Sequence, residues 1–183
     1  MATDNRKKWT FATTGIVGAL IVLAAIATMV IRVPIPATTG YFNIGDVFVI
    51  LAGLWLGPLV GAIVGSIGPT IADAIGFPVF IPATLITKGM EGFIVGLIAS
   101  GAKTGGIKIK TVAAFAGAIT IIVGYFVFEA YIYPAVGKII PAFAITDIGA
   151  AIVEILPNSI QGIVGAVGGL ALWKALAGYN PKK

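Results

Sequence analysis

The sequence predicts an all-α integral membrane protein: six transmembrane helices, both termini on the cytoplasmic side, and one membrane domain over residues 1–183. Three observations predict it. The chain is 58% hydrophobic and only 10% charged, with a mean hydropathy of +1.06. So few charges cannot cover the apolar surface of a water-soluble body this size. Apolar stretches long enough for a ~30 Å hydrocarbon core recur along the chain. The basic residues then fall on one side of the predicted bundle.

The first span covers about 10–31. It follows Arg6-Lys7-Lys8 and Trp9, carries no charge, and ends at Arg32 and the Pro34-Ile35-Pro36 run. At about 20 residues it is too long for the apolar region of a cleaved signal. Proline and glycine keep the segment to Gly40 out of a helix.

The run between Asp46 and Asp73 holds 26 uncharged residues and two possible readings. It is one long span, or two short ones turning at Leu56-Gly57-Pro58. Charge decides. Two spans, at 44–57 and 59–75, put Lys103, Lys108 and Lys110 on the side of Arg6, Lys7 and Lys8; one span separates them. The remaining spans fall at 83–101, 111–128 and 147–176, the last with Pro157 as a kink or as the start of its main helix. Nine basic residues are then cytoplasmic (the six above with Lys174, Lys182 and Lys183), against Arg32 and Lys138 outside.

Charges inside a membrane mark function, because each costs about 2.5–3.5 kcal/mol at a helix centre. Lys88 and Glu91 are three apart, share a helical face, and are close enough to pair. Asp46, Asp73 and Glu129 fall at the outer ends of their spans. Glu154, Asn158 and Gln161 share one face at the outer end of the last. Asp46 also suits a helix start, and Asp73, at a helix end, needs a partner such as Lys88 or a ligand. The inner half is nearly pure hydrocarbon. A channel needs polar groups along its whole length. This distribution predicts a cup open to the outside, with Tyr41, Phe42, Tyr125, Tyr131 and Tyr133 near its rim. Asn43 stands beside Asp46 in the same outer stretch.

Small residues four apart let helices approach closely. Gly15/Ala19, Ala24/Thr28 and Gly61/Gly65 are candidate docking pairs for another membrane subunit, with packing inside the monomer as the competing role. The chain has no cysteine and no histidine, which removes thiolate metal sites, the commonest metal ligand and the usual general base. Scattered basic residues beside apolar spans exclude a nucleic-acid surface. No nucleotide-binding loop or hydrolase motif is present. No enzyme activity, cofactor or metal is expected.

The stretches NIGDVFVILAGLWLGPLVGAIVGSIGPTIADAI, FPVFIPATLITKGMEGFIVGLIA and ILPNSIQG carry a resemblance that covers nearly the whole chain. It resembles the S components of energy-coupling factor (ECF) vitamin transporters, the riboflavin-type group above all. The resemblance implies a vitamin held near the outer face by the later helices and by the loops after spans 1, 3 and 5. It implies docking of small residues in span 1 on a membrane scaffold subunit, which links to two cytoplasmic ATPases. It also implies that the body topples in the bilayer to release its cargo. Gln161 stands where the family often has a lysine. The cup is mildly acidic, which favours riboflavin, a B6 vitamer or hydroxymethylpyrimidine over a polyanion. An autonomous ion-coupled carrier is the alternative.

Overall fold

The computed structural model describes residues 11–35, 40–101, 106–176 and 178–179. Arg6, Lys7, Lys8, Trp9, the start of the first span at residue 10, Pro36, Lys103, Lys182 and Lys183 lie outside the described residues. The chain forms α1 (Phe11–Val30), a two-stranded antiparallel hairpin of β1 (Val33–Ile35) and β2 (Gly40–Phe42), α2 (Asp46–Leu56), α3 (Pro58–Gly76), α4 (Ile81–Gly101), α5 (Ile107–Val127), a short α6 (Tyr133–Gly137) and α7 (Ile148–Ala175). Five helical segments are long and apolar enough to cross a membrane. Their outward faces carry Val22, Ile26, Ile71, Leu97, Ile119 and Val167, as lipid requires.

α2 and α3 separate at Leu56-Gly57-Pro58. Gly57 has φ 94°, a conformation open to glycine and strained for other residues, and Pro58 opens α3 where its missing N–H costs nothing. α2 is shorter than its predicted span. Its 11 residues reach only about half of a ~30 Å core. It survives because the other long helices all pack around it. Val49, Ile50 and Ala52 are fully buried between them. Its last carbonyls need partners inside the protein. Lys110 of α5 supplies one, its Nζ donating to the Leu54 carbonyl at 2.9 Å and to that of Ala99 at 3.3 Å, with the ammonium 5.4 Å from the Trp173 ring.

The glycines of α3 and α4 explain the closest helix pair. A Cβ on Gly61 would strike the Gly92 carbonyl, one on Gly92 that of Gly61, one on Gly65 that of Lys88, and one on Gly96 the Gly57–Pro58 peptide. Backbones that close leave no room for side chains.

One helix end differs from expectation. α5 does not stop near 128; it passes through a π-helical turn at Phe128–Ile132 and runs on as α6, a continuous helical segment to Gly137. Pro157 lies inside α7, which is one helix of 28 residues, opened by an Asp147 carboxylate that accepts from the Ala150 N–H at 2.8 Å.

Candidate binding cavity

The hairpin, the N-terminal halves of α4 and α7, and the C-terminal ends of α1, α3 and α5 meet at one end of the bundle around a cavity. Lys108, Lys110 and Lys174 are at the opposite end, with the last turn of α7 and the start of α5. Asn43, Asp73, Lys88 and Tyr125 line the cavity, as do Glu129, Glu154, Asn158 and Gln161. It opens to solvent and spans about 400 Å³ of space between and above its wall atoms, with free room for little more than water.

Each polar wall has a local cause. Asn43 precedes α2, and its Oδ1 accepts from the Gly45 N–H at 2.9 Å. Gln161 projects from α7, and its Oε1 accepts from the Asn43 backbone N–H at 2.8 Å and from the Asn43 amide at 3.2 Å. This ties the connection before α2 to α7. Thr28 of α1 closes the same corner with a 3.5 Å contact to Asn43 Oδ1.

Asp73 accepts a hydrogen bond from the Tyr41 hydroxyl, and its second oxygen has no hydrogen-bond partner among the described residues. Tyr41 lies on β2, where burial, then the Asp73 charge, push its hydroxyl well above the ordinary tyrosine range. It is a donor at every physiological pH. Arg32 stacks on the other side, its guanidinium 4.9 Å from the Tyr41 ring and 5.2 Å from that of Phe77, while donating to the Ala72 carbonyl at 2.7 Å and the Thr28 carbonyl at 3.2 Å. The hairpin is thereby anchored to α1 and α3.

Lys88 and Glu91 share a helical face but do not form a salt bridge with each other. Lys88 instead makes a fully buried salt bridge to Asp46, so α4 is cross-linked to α2. Asp46 is therefore not a helix cap: Gly45 occupies that position, and no side chain caps the helix start. Asp46 and Glu91 do not line the cavity; they are fully buried beneath Lys88. Asp46 Oδ2 and both Glu91 oxygens have no hydrogen-bond partner among the described residues. Tyr133 is also off the wall. It donates to the Val79 carbonyl at 3.0 Å and packs on Phe80, Phe128 and Phe143, which makes it a support behind the cavity.

Thr28, Gly40, Pro69, Phe80 and Thr84 line the cavity and were not among the predicted binding residues. Thr84 was legible, since it lies one turn before Lys88 on the same face; its hydroxyl shares a 3.0 Å hydrogen bond with that of Tyr125. Thr28 had been placed on a docking face. Thr28 and Ala24 are buried in the bundle instead, Ala24 against Gly68 and the segment before α2. Gly61 and Gly65 are buried against α4. Of the three small-residue pairs, only Gly15 and Ala19 face outward.

The comparisons agree with this architecture. A family model described as "ECF-type riboflavin transporter, S component" matches residues 7–178. A protein of Pyrococcus woesei, described as "Uncharacterized protein in gap 3'region", is 35% identical over 159 residues, covering 86% of this chain and 93% of that protein. The family match runs over nearly the whole chain, and the long apolar helices are those of a membrane subunit. The chain thus belongs to the ECF-type riboflavin transporter S-component family, a family of membrane-embedded transport subunits.

Proposed function

We propose that this chain is the substrate-binding subunit of an ECF-type importer and captures a water-soluble vitamin or vitamin precursor in the cavity for ATP-driven uptake. The single observation that carries the reading is the cavity itself. Amides (Asn43, Asn158, Gln161), carboxylates and aromatic rings converge at one end of a bundle that is apolar elsewhere. An apolar body with a few converging polar groups is the usual small-molecule site. Riboflavin, a B6 vitamer and hydroxymethylpyrimidine are the candidate ligands. The free room is smaller than any of them, so capture requires side chains of the wall to move.

Six passes with both termini cytoplasmic would place the cavity at the outer face. Lys108, Lys110 and Lys174 at the opposite end support that orientation. The reading is tested by purifying the protein in mild detergent and identifying by mass spectrometry what accompanies it. A heteroaromatic vitamin should appear. If none copurifies and no vitamin shifts the thermal midpoint, the reading is wrong.

Docking on a scaffold subunit, and through it on two ATPases, is assigned to α1. Gly15, Gly18 and Ala19 form an exposed strip, with open space where a Cβ would stand at both glycines. Gly15→Leu should leave the thermal midpoint within a few degrees of the parent and sharply reduce recovery of the scaffold subunit in pull-downs. Full recovery with Gly15→Leu and Ala19→Leu combined would move the docking face elsewhere.

A further inference from the structure

We propose that the ligand is an organic cation, a positively charged nitrogen heteroaromatic, gripped by Glu129 and Asp73 and faced by the rings of Tyr41, Phe80 and Tyr125. The proposal rests on the reading of the cavity as the ligand site and narrows its chemistry.

Charge balance is the first argument. Asp46, Asp73, Glu91, Glu129 and Glu154 gather at this end of the bundle, each at most 3% exposed. Among the described residues, two cations accompany them, Lys88 and Arg32. Lys88 is committed to Asp46. Arg32 is spread over two backbone carbonyls and two rings behind Tyr41. Among the described wall residues the acids outnumber the cations, so a carboxylate charge at Asp73 or Glu129 is expensive unless a cation joins it.

Hydrogen bonding is the second argument, and it is independent. The wall has acceptors to spare. Glu129 Oε2 and Asp73 Oδ2 are both buried, both belong to residues lining the cavity, and neither has a hydrogen-bond partner among the described residues. Glu129 is held in position by the π-helical turn and by the Thr146 hydroxyl, which donates to the Glu129 carbonyl at 2.7 Å. It lies within electrostatic reach of Glu154. A π turn inside a helix commonly marks a functional site. The polar wall therefore asks its occupant for N–H groups and positive charge.

The aromatic wall gives the third argument. Tyr41 already has the Arg32 guanidinium over its ring, and Tyr125 has the Lys88 ammonium 5.7 Å from its centroid. Rings with carboxylates beside them form the environment in which a desolvated organic cation is held most strongly.

The test uses probes that differ in charge. Thiamine carries a permanent thiazolium, and hydroxymethylpyrimidine is its neutral half; pyridoxamine carries an ammonium that pyridoxine lacks; riboflavin is the neutral flavin. Binding to the purified full chain is measured by calorimetry and by thermal midpoint. The cationic member of at least one pair should bind at least about tenfold more tightly than its neutral partner. Glu129→Gln should erase most of that preference without lowering the midpoint of the unliganded protein. Asp73→Asn serves in its place if Glu129→Gln does not fold. A preference that survives the substitution overturns the proposal. Riboflavin or hydroxymethylpyrimidine binding more tightly than every cation also overturns it, and leaves the S-component reading standing. No binding by any probe, with nothing copurifying, overturns both.

Discussion

Lys88→Ala is expected to destabilise the protein by about 3–5 kcal/mol, the range for breaking a buried ion pair by removing one partner. Lys88 and Asp46 are both fully buried, and their salt bridge joins α4 to α2. Without the ammonium, Asp46 keeps a carboxylate in a site already shared with Glu91, whose oxygens have no hydrogen-bond partner among the described residues. Removing charge from both sides should recover most of the loss. The double variant Lys88→Met, Asp46→Asn should therefore melt well above Lys88→Ala and closer to the parent. The measurement is the thermal midpoint in detergent for the parent, Lys88→Ala and the double variant. A Lys88→Ala midpoint equal to the parent would show that the pair contributes nothing. A double variant no better than the single would show that Lys88 matters through packing and not through charge.

Gly92→Ala comes second in expected size. One methyl at this position meets the Gly61 carbonyl group of α3, and backbone cannot rotate aside as a side chain can. The helices must separate, at a cost of about 1–3 kcal/mol for a single added methyl and more for Gly92→Leu. Separation also moves Lys88, because the Lys88 carbonyl sits against Gly65 in the same interface. Ligand affinity should therefore fall with stability. Gly18→Ala is the control. Its added methyl meets open space on α1, and the change should be neutral or mildly stabilising through helix propensity. Equal midpoints for Gly92→Ala and Gly18→Ala would rule out close backbone packing as the role of the α3–α4 glycines.

Much of the fold was legible in the sequence because lipid imposes simple rules. A long uncharged run must be helical there, and a lone charge in it needs a reason. The positive-inside count resolved the run between Asp46 and Asp73 into two helices, and Gly57-Pro58 has the residue types that such a break needs. The spacing of Glu154, Asn158 and Gln161 put them on one face of α7. All three are buried and line the cavity.

Other features depended on contacts between distant segments. Spacing put Lys88 beside Glu91, yet the lysine reaches across to Asp46, 42 positions earlier. Spacing along one helix states which residues share a face and not what lies opposite that face. The small-residue pairs show the same limit. Gly61/Gly65, Ala24/Thr28 and Gly15/Ala19 read alike, but the first two are buried against other segments of this chain and the third is exposed among the described residues. The length of α2 also escaped sequence reading, since only burial on every side lets an 11-residue helix lie in a membrane protein. The π turn that positions Glu129 left no compositional trace.

By itself the sequence determined the solvent, the helical class and the end of the bundle that carries the polar groups. Those follow from composition and from charge order along the chain, which are local quantities. Tertiary structure alone decided which polar groups face the cavity and which lie beneath it. That choice is made by helix packing, where the α3–α4 glycines bring backbones together and the Lys88–Asp46 bridge joins α4 to α2.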